Sequence, residues 1–276
     1  MLAKLRSDDK IALAVASTGI ASSLLPGGTT AQRTFKIPLD LDKDDKPVCN
    51  VEKGSALAKL LQDTSFIVWD ECTMVHKKAF EAVDRMLRDI RGNNLIMGGV
   101  LLLLTGDFRQ TLPVVQGGTR ADEINATLKS SVLWPHVKKL HLTKNMRAHL
   151  TGDVDAWDFS ETLEDLGNGI IGKETNGVFK VPQSVCVKNL DELMNSIYPN
   201  IEENYKDSEW LSARAILAPR NVEVNALNQS LLEKIPGNKK TYKSFDKVMI
   251  DTDASKYPIE FLNSLDPPGV PQHTLD

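Results

Sequence analysis

Cysteine is scarce in this 276-residue chain. The three residues, Cys49, Cys72 and Cys186, are scattered and form no CxxC pair. That spacing argues against a disulfide framework or a cysteine zinc site and fits a reducing compartment. No apolar run approaches the length of a membrane span. The opening stretch MLAKLRSDDK lacks the apolar core of a signal peptide, so nothing points to secretion. No internal repeat is present. Neither sign of charge dominates, the net being −4, but the charge is unevenly spread. Residues 1–150 carry 21 Lys+Arg against 16 Asp+Glu, and residues 151–276 carry 12 against 21. The first segment, at +5, is the better suited to face a polyanion, although so small an excess does not identify one.

What is present is a series of short apolar runs that end in polar residues. Ile11–Ala16 is closed by Ser17-Thr18-Gly19, and Phe66–Trp69 by Asp70-Glu71. Val100–Leu104 is closed by Thr105-Gly106-Asp107, and Lys139–Leu142 by Thr143. Continuous runs of this length predict strands buried on both faces, as in a parallel sheet. The C-terminal edge of such a sheet is where ligands bind. Between the runs, Ala56, Leu57, Leu60 and Leu61 have helical spacing. The stretch from Val75 to Arg91 predicts an amphipathic helix with Phe80, Val83, Leu87 and Ile90 on one face, stopped by Gly92. Strand and helix alternate, so the first half is α/β. Residues 151–210 are acidic, with short helical patches such as Trp157–Leu166. Ala213–Leu217 then predicts a strand and Val222–Leu232 a helix.

Two adjacent acids at the end of a buried strand repel one another unless a cation, water or solvent absorbs the charge. The pair Asp70-Glu71 fits nucleotide-triphosphate hydrolysis, the first acid serving Mg²⁺ and the second polarising the attacking water. It fits equally a strand end whose acids face solvent. Gln110, after the third run, can sense a γ-phosphate or its water; the alternative is a glycine turn with a polar tail. Arg147, in LTKNMRA, suits a guanidinium aimed at phosphate; the alternative is an ordinary surface arginine. Ser17-Thr18-Gly19 suits either a bound anion or an ordinary helix N-cap.

A phosphate-binding loop of the form GxxxxGK[ST] is missing. The nearest match is GNGIIGK, Gly167 to Lys173, where Glu174 replaces the hydroxyl residue and no clear strand precedes it. It reads as a glycine-rich loop. A strand, loop and helix carrying the cradle are expected ahead of the first run.

Together the blocks ASTGIAS, GG-TA-FKIPL, VWDECTM, LLTGDFRQTLPVV, NATLKSS–LW, L-LTKNMR and ILAPRN–VN–LN resemble the Pif family of superfamily-one DNA helicases, in the eukaryotic branch related to Helitron transposon helicases. The resemblance implies two RecA-like domains and an ATP-driven motor that moves 5′ to 3′ along single-stranded DNA. It implies Mg²⁺ at Asp70 and water activation by Glu71. It also implies γ-phosphate contacts from Gln110 and Arg147, and DNA contacts from Ser17, Thr18, Gly19, Phe35 and Pro38. Gln32 stands where the family carries a histidine.

The expected organisation is an incomplete RecA-like parallel sheet over 1–150, lacking its phosphate-loop strand. An acidic helical connection follows over 151–210, then the start of a second RecA-like domain over 211–276. The chain is expected to be an internal fragment that does not hydrolyse ATP by itself. The expected partners are single-stranded DNA and duplex junctions, with no membrane. The implied roles are DNA repair, recombination or telomere maintenance in the nucleus or the mitochondrion. A non-hydrolysing nucleic-acid-binding remnant of a transposon helicase is the alternative. A nucleotide kinase is a weaker one, to which the Gln110 block would be foreign.

Overall fold

The computed structural model describes residues 2–38, 40–41, 44–115, 117–151, 154–170, 181, 183, 186–238, 240–245, 259–264 and 274–275. The chain divides into two compact units, residues 1–179 and 180–276.

The first unit runs α1 (Leu2–Ser7), β1 (Ile11–Ala16), α2 (Gly19–Leu24), β2 (Thr29–Thr30), α3 (Ala31–Phe35), α4 (Ala56–Asp63), β3 (Thr64–Asp70), α5 (Lys77–Arg91), β4 (Leu101–Leu104), α6 (Arg120–Ala126), α7 (Met146–Thr151) and α8 (Val154–Gly167). The four strands form one parallel sheet in the order β2-β1-β3-β4.

Alternation along β3 divides the core between the two faces of the sheet. Ile67 and Trp69 join the main cluster with Phe35, Leu61, Phe80, Val83 and Leu87. Phe66 and Val68 point the other way, onto Ala12 and the Leu2 and Leu5 side chains of α1. Both faces of β3 are therefore covered, which is why its sequence is a continuous apolar run.

The helix expected from Val75 to Arg91 forms as Lys77–Arg91 and buries Phe80, Val83, Leu87 and Ile90. His76 caps its start, its Nδ1 accepting from the Lys78 N–H, and Gly92 ends it at φ +62. Asp84 sits on the buried face at 5% exposure. It is held there by Arg88 (2.9 Å) and by the Met97 N–H (2.6 Å). Arg91 ties the helix to the strand entry, donating to the carbonyls of Leu61, Gln62 and Thr64 through Nη1 and to Gly98 through Nε. Gly98 is required by packing. Its φ is +60, and a Cβ would lie 2.6 Å from the Leu87 carbonyl.

Two strand expectations fail. Lys139–Leu142 forms no ladder and lies exposed, Leu140 at 79% and Leu142 at 103%. The fourth strand of the sheet is instead the two-residue β2. In the second unit Ala213–Leu217 forms no strand either, and Leu217 is 94% exposed. Among the described residues neither segment has a neighbouring strand, and a strand without a partner is not stable in water.

The second unit contains α9 (Leu190–Ile197), α10 (Ile201–Asn204), α11 (Ser208–Ser212), α12 (Asn221–Leu232), β5 (Tyr242–Lys243), α13 (Ile259–Asn263) and β6 (Thr274–Leu275). β5 and β6 pair antiparallel. The helix expected over Val222–Leu232 is α12. Among the described residues of this unit, Met194, Ile201 and Leu227 are the buried hydrophobics. No helix among the described residues is long and apolar enough to cross a membrane.

Candidate functional site

Register brings the polar strand ends together. Ala16 of β1 lies opposite Asp70 of β3, and Trp69 opposite Leu104 of β4. The next residues continue the pairing: the Ser17 N–H donates to the Asp70 carbonyl and the Thr105 N–H to the Trp69 carbonyl, both at 3.0 Å. Ser17, Asp70-Glu71 and Thr105 therefore share one rim of the sheet.

Asp70 is fixed by its neighbours. Its Oδ1 accepts from Thr105 Oγ1 at 2.6 Å and from the Glu71 N–H at 3.0 Å. Glu71 adopts the left-handed conformation at φ 50, ψ 38, unusual for a residue with a side chain. It starts the 3₁₀ turn Cys72–Met74, and its Oε2 is buried with no hydrogen-bond partner. Burying a carboxylate oxygen without a donor costs free energy. The geometry thus suits a carboxylate that takes a water or a cation-bound water.

Next to the pair, burial first and the Asp70 charge second push the Cys72 thiol up to about 12. It stays protonated at neutral pH and is no nucleophile. No group of three or more His, Cys, Asp or Glu able to hold a metal occurs among the described residues. A hard cation at Asp70 would complete its shell with water and phosphate oxygens, the usual habit of Mg²⁺.

The loop after β4 is stapled to the acidic turn. The Cys72 N–H donates to the Thr105 carbonyl at 3.0 Å, and Thr73 Oγ1 to the Asp107 carbonyl at 3.3 Å. Gly106 passes so close that a Cβ would sit 2.9 Å from Thr73 Cγ2. The Asp107 side chain accepts from the Arg109 N–H (2.9 Å) and Nε (3.0 Å). The backbone bond first and the guanidinium second hold its carboxyl below the ordinary 3.8. The Gln110 N–H donates to the Asp107 carbonyl at 3.1 Å, which closes the turn and leaves Gln110 exposed.

Arg147 lies on the wall of a cleft of about 860 Å³ that Asp107, Arg109, Lys144 and the Phe159 and Leu163 side chains of α8 also line. Arg109 reaches Glu164 across it at 3.3 Å. Asn145 orders this segment, its Oδ1 accepting from the Arg147 N–H (3.1 Å) and its Nδ2 donating to Ser160 (2.6 Å). Asp107 is thus shared between the loop stapled to Asp70-Glu71 and the cleft that holds Arg147.

The expected DNA-contact residues divide. Gly19 is exposed, with open space where a Cβ would stand. Thr18 is half-buried and caps α2 by accepting from the Ala21 N–H. The Ser17 hydroxyl turns inward, accepting from Trp69 Nε1 at 3.1 Å and donating to the Asp70 carbonyl. Pro38 is half-buried. Phe35 is in the core. It is 0% exposed, with its ring 5.4 Å from that of Trp69, so it anchors its segment. Gln32 and Arg33 are the exposed residues of that helix.

Thr73, Thr105, Asp107 and Arg109 belong to the site although sequence reasoning gave them no role. The signal was available in part. Asp-x-Arg after a strand suits an Asx turn, and a hydroxyl one residue past a parallel strand can reach its neighbour's end. Of the glycine-rich loop, Gly167 to Ile170 are described, while Ile171 to Glu174 lie outside the described residues. The stretch PPGVPQHTLD at the C-terminal end falls outside them too, apart from Thr274 and Leu275.

Residues 1–177 match the family profile described as PIF1-like helicase. Among curated proteins, the chain is 27% identical over 240 residues to the ATP-dependent DNA helicase Pif1 of Psychrobacter, covering 86% of this chain and 33% of that protein. It is 27% identical over 266 residues to the ATP-dependent DNA helicase RRM3 of Saccharomyces cerevisiae, covering 86% and 36%. The chain thus spans about a third of the length of these relatives. The crystal structure of Pif1 helicase from Candida albicans superposes with a TM-score of 0.59 at 19% identity, covering 99% of this chain and 54% of that one. The Bacteroides Pif1 helicase in complex with ADP-AlF3 and ssDNA gives 0.54 at 19%, covering 88% and 52%. The α/β architecture with its parallel sheet is the fold of these Pif1 structures, and the chain belongs to the PIF1-like helicase family.

Proposed function

We propose that this chain carries part of the motor of an ATP-dependent DNA helicase moving 5′ to 3′ on single-stranded DNA. In this reading Asp70 holds Mg²⁺, Glu71 activates water, Gln110 senses the γ-phosphate and Arg147 contacts it. The cation, when bound, offsets charge on the phosphates. Residues 1–150 form most of the first RecA-like domain, 151–210 a connection, and 211–276 the start of the second. Thr18, Gly19, Ser17 and Pro38 lie in the DNA-facing segments, with Phe35 supporting them from the core. Single-stranded DNA and duplex junctions are the partners, and repair, recombination or telomere maintenance in nucleus or mitochondrion the setting. The Bacteroides Pif1 helicase in complex with ADP-AlF3 and ssDNA, and a solved structure that bears on DNA unwinding at forked dsDNA by two coordinating Pif1 helicases, support the ligand classes.

The observation that carries this reading is the convergence at one rim. A buried, partnerless Glu71 oxygen lies beside an Asp70 held by two donors, and the loop of Gln110 is bonded to the same turn. A strand end with merely solvated acids would need none of this.

The 276 residues contain no GxxxxGK[ST]. That favours a second reading for the chain as it stands, retention of DNA without turnover. Loss of one preorganised donor costs roughly 3–4 kcal/mol in a transition state, and a whole cradle costs more. The test is phosphate release with and without single-stranded DNA. The chain alone should match a buffer control. A longer protein containing this chain and a phosphate loop should hydrolyse ATP, lose turnover on Glu71→Gln and keep ATP binding. DNA-stimulated turnover by the 276-residue chain sinks the claim of inactivity. Wild-type turnover in the Glu71→Gln protein removes Glu71 from its role.

A further inference from the structure

We propose that Thr105 is a positioning residue for Asp70, and that it joins this carboxylate to the turn that carries Gln110. The inference rests on the reading of Asp70 as the cation-facing carboxylate. Thr105 Oγ1 and the Glu71 N–H both donate to Asp70 Oδ1, at 2.6 and 3.0 Å. A carboxylate oxygen has two acceptor sites, so Oδ1 is filled and Oδ2 is left for a ligand. The threonine is itself held from both sides. Its N–H donates to Trp69, before the acidic pair, and its carbonyl accepts from Cys72, after it. A β-branched side chain on a fixed backbone has little rotamer freedom, so its hydroxyl sets the plane of the Asp70 carboxylate.

The same residue leads directly into the Gln110 turn. Gly106 is pressed against Thr73, Thr73 donates to the Asp107 carbonyl, and that carbonyl also accepts the Gln110 N–H. A cation drawing on Asp70 therefore pulls a hydroxyl that is rigidly continuous with Gln110. Outer-shell donors of this kind are worth about ten-fold or more in metal affinity.

The test uses the 276-residue chain with terbium(III) chloride as the probe, read by tryptophan-sensitised emission. Trp69 directly precedes Asp70 and serves as the antenna. Asp70→Asn isolates the emission that belongs to this site. Thr105→Val, which keeps the shape and removes the donor, should weaken that component about ten-fold, and Thr105→Ser should restore it to within about two-fold. Should the valine variant fail to fold, Thr105→Ala makes the same comparison. Equal binding by wild type and the donorless variant, with loss in Asp70→Asn, overturns the proposal and leaves Asp70 in its role. So does a serine variant as weak as the donorless one. Unchanged emission in Asp70→Asn removes Asp70 as a cation ligand, and the proposal with it.

Discussion

Two apolar stretches in the two units meet opposite fates. Phe66–Trp69 in the first unit is buried to between 1% and 9% exposure, with β1 on one side and β4 on the other. Ala213–Leu217 in the second joins no strand ladder among the described residues, and Leu217 stands 94% exposed. Residue type contributes, since Ala213–Leu217 contains Arg214 and two alanines, but it is not the whole difference. A strand becomes stable through cross-strand neighbours and a covered face, and the first unit supplies both. Its α5 alone adds Phe80, Val83, Met86, Leu87 and Ile90 to the buried cluster that contains Ile67 and Trp69 of β3. Lys139–Leu142 makes the same point inside the first unit: among the described residues it joins no strand, and Leu140 and Leu142 stay exposed.

The strongest way to break this comparison is to mutate each unit's counterpart. Trp69 packs against Phe35 and Phe80, with ring centroids 5.4 and 6.0 Å away. Trp69→Ala should lower the stability of the first unit by about 3–5 kcal/mol, read by hydrogen exchange of the β3 and α5 amides. Leu217→Ala should change stability by less than about 0.5 kcal/mol. Comparable losses for the two would mean that Ala213–Leu217 is buried in solution.

A smaller effect is expected at Gly106. The added methyl of Gly106→Ala would meet Thr73 at 2.9 Å, an overpacking cost of about 1–3 kcal/mol. Denaturant unfolding would measure it, and a neutral result would show that the loop is not pressed onto the acidic turn. Acidification probes the same loop more gently. The carboxyl of Asp107 is held below its ordinary 3.8, first by the Arg109 N–H and then by its guanidinium. A depressed folded-state value means the contribution is full above the unfolded value and is lost as pH falls through the folded one. The benefit of Asp107 over Asp107→Asn should therefore be present at neutral pH and vanish well below pH 4. The side chain is partly exposed, so the difference in unfolding midpoint will be small. A benefit that persists at that pH would contradict the bond.

The least perturbing comparison is thiol alkylation of the native chain. Cys186 of the second unit is exposed, while Cys49 and Cys72 of the first are buried, with thiols pushed up to about 12 chiefly by burial. Cys186 should label at once, and the other two only on unfolding. Rapid labelling of Cys72 would mean that the acidic turn opens readily.

Much of the first unit was legible because each signal was local. Continuous apolar runs marked β1, β3 and β4, the 3.6-residue spacing marked α5, and Gly92 marked its end. The acidic pair and the Gln110 block were legible as polar closures of those runs. Illegible were the two-residue β2, too short for any pattern, and the burial of Phe35, which depends on Trp69 arriving from β3. Thr105 was equally hidden, because its partner Asp70 lies 35 residues away in sequence.

By itself, then, the order of residues determined which segments were apolar enough to be strands, where helices begin and stop, and which charged groups close each run. Those properties follow from side-chain chemistry and from backbone preferences over a few residues. The tertiary structure alone decided which apolar runs find neighbours, that Glu71 is driven into a left-handed turn with a buried oxygen, and that one hydroxyl ties Asp70 to the next loop. Such outcomes depend on register between strands distant in the chain, and register is a property of the packed sheet.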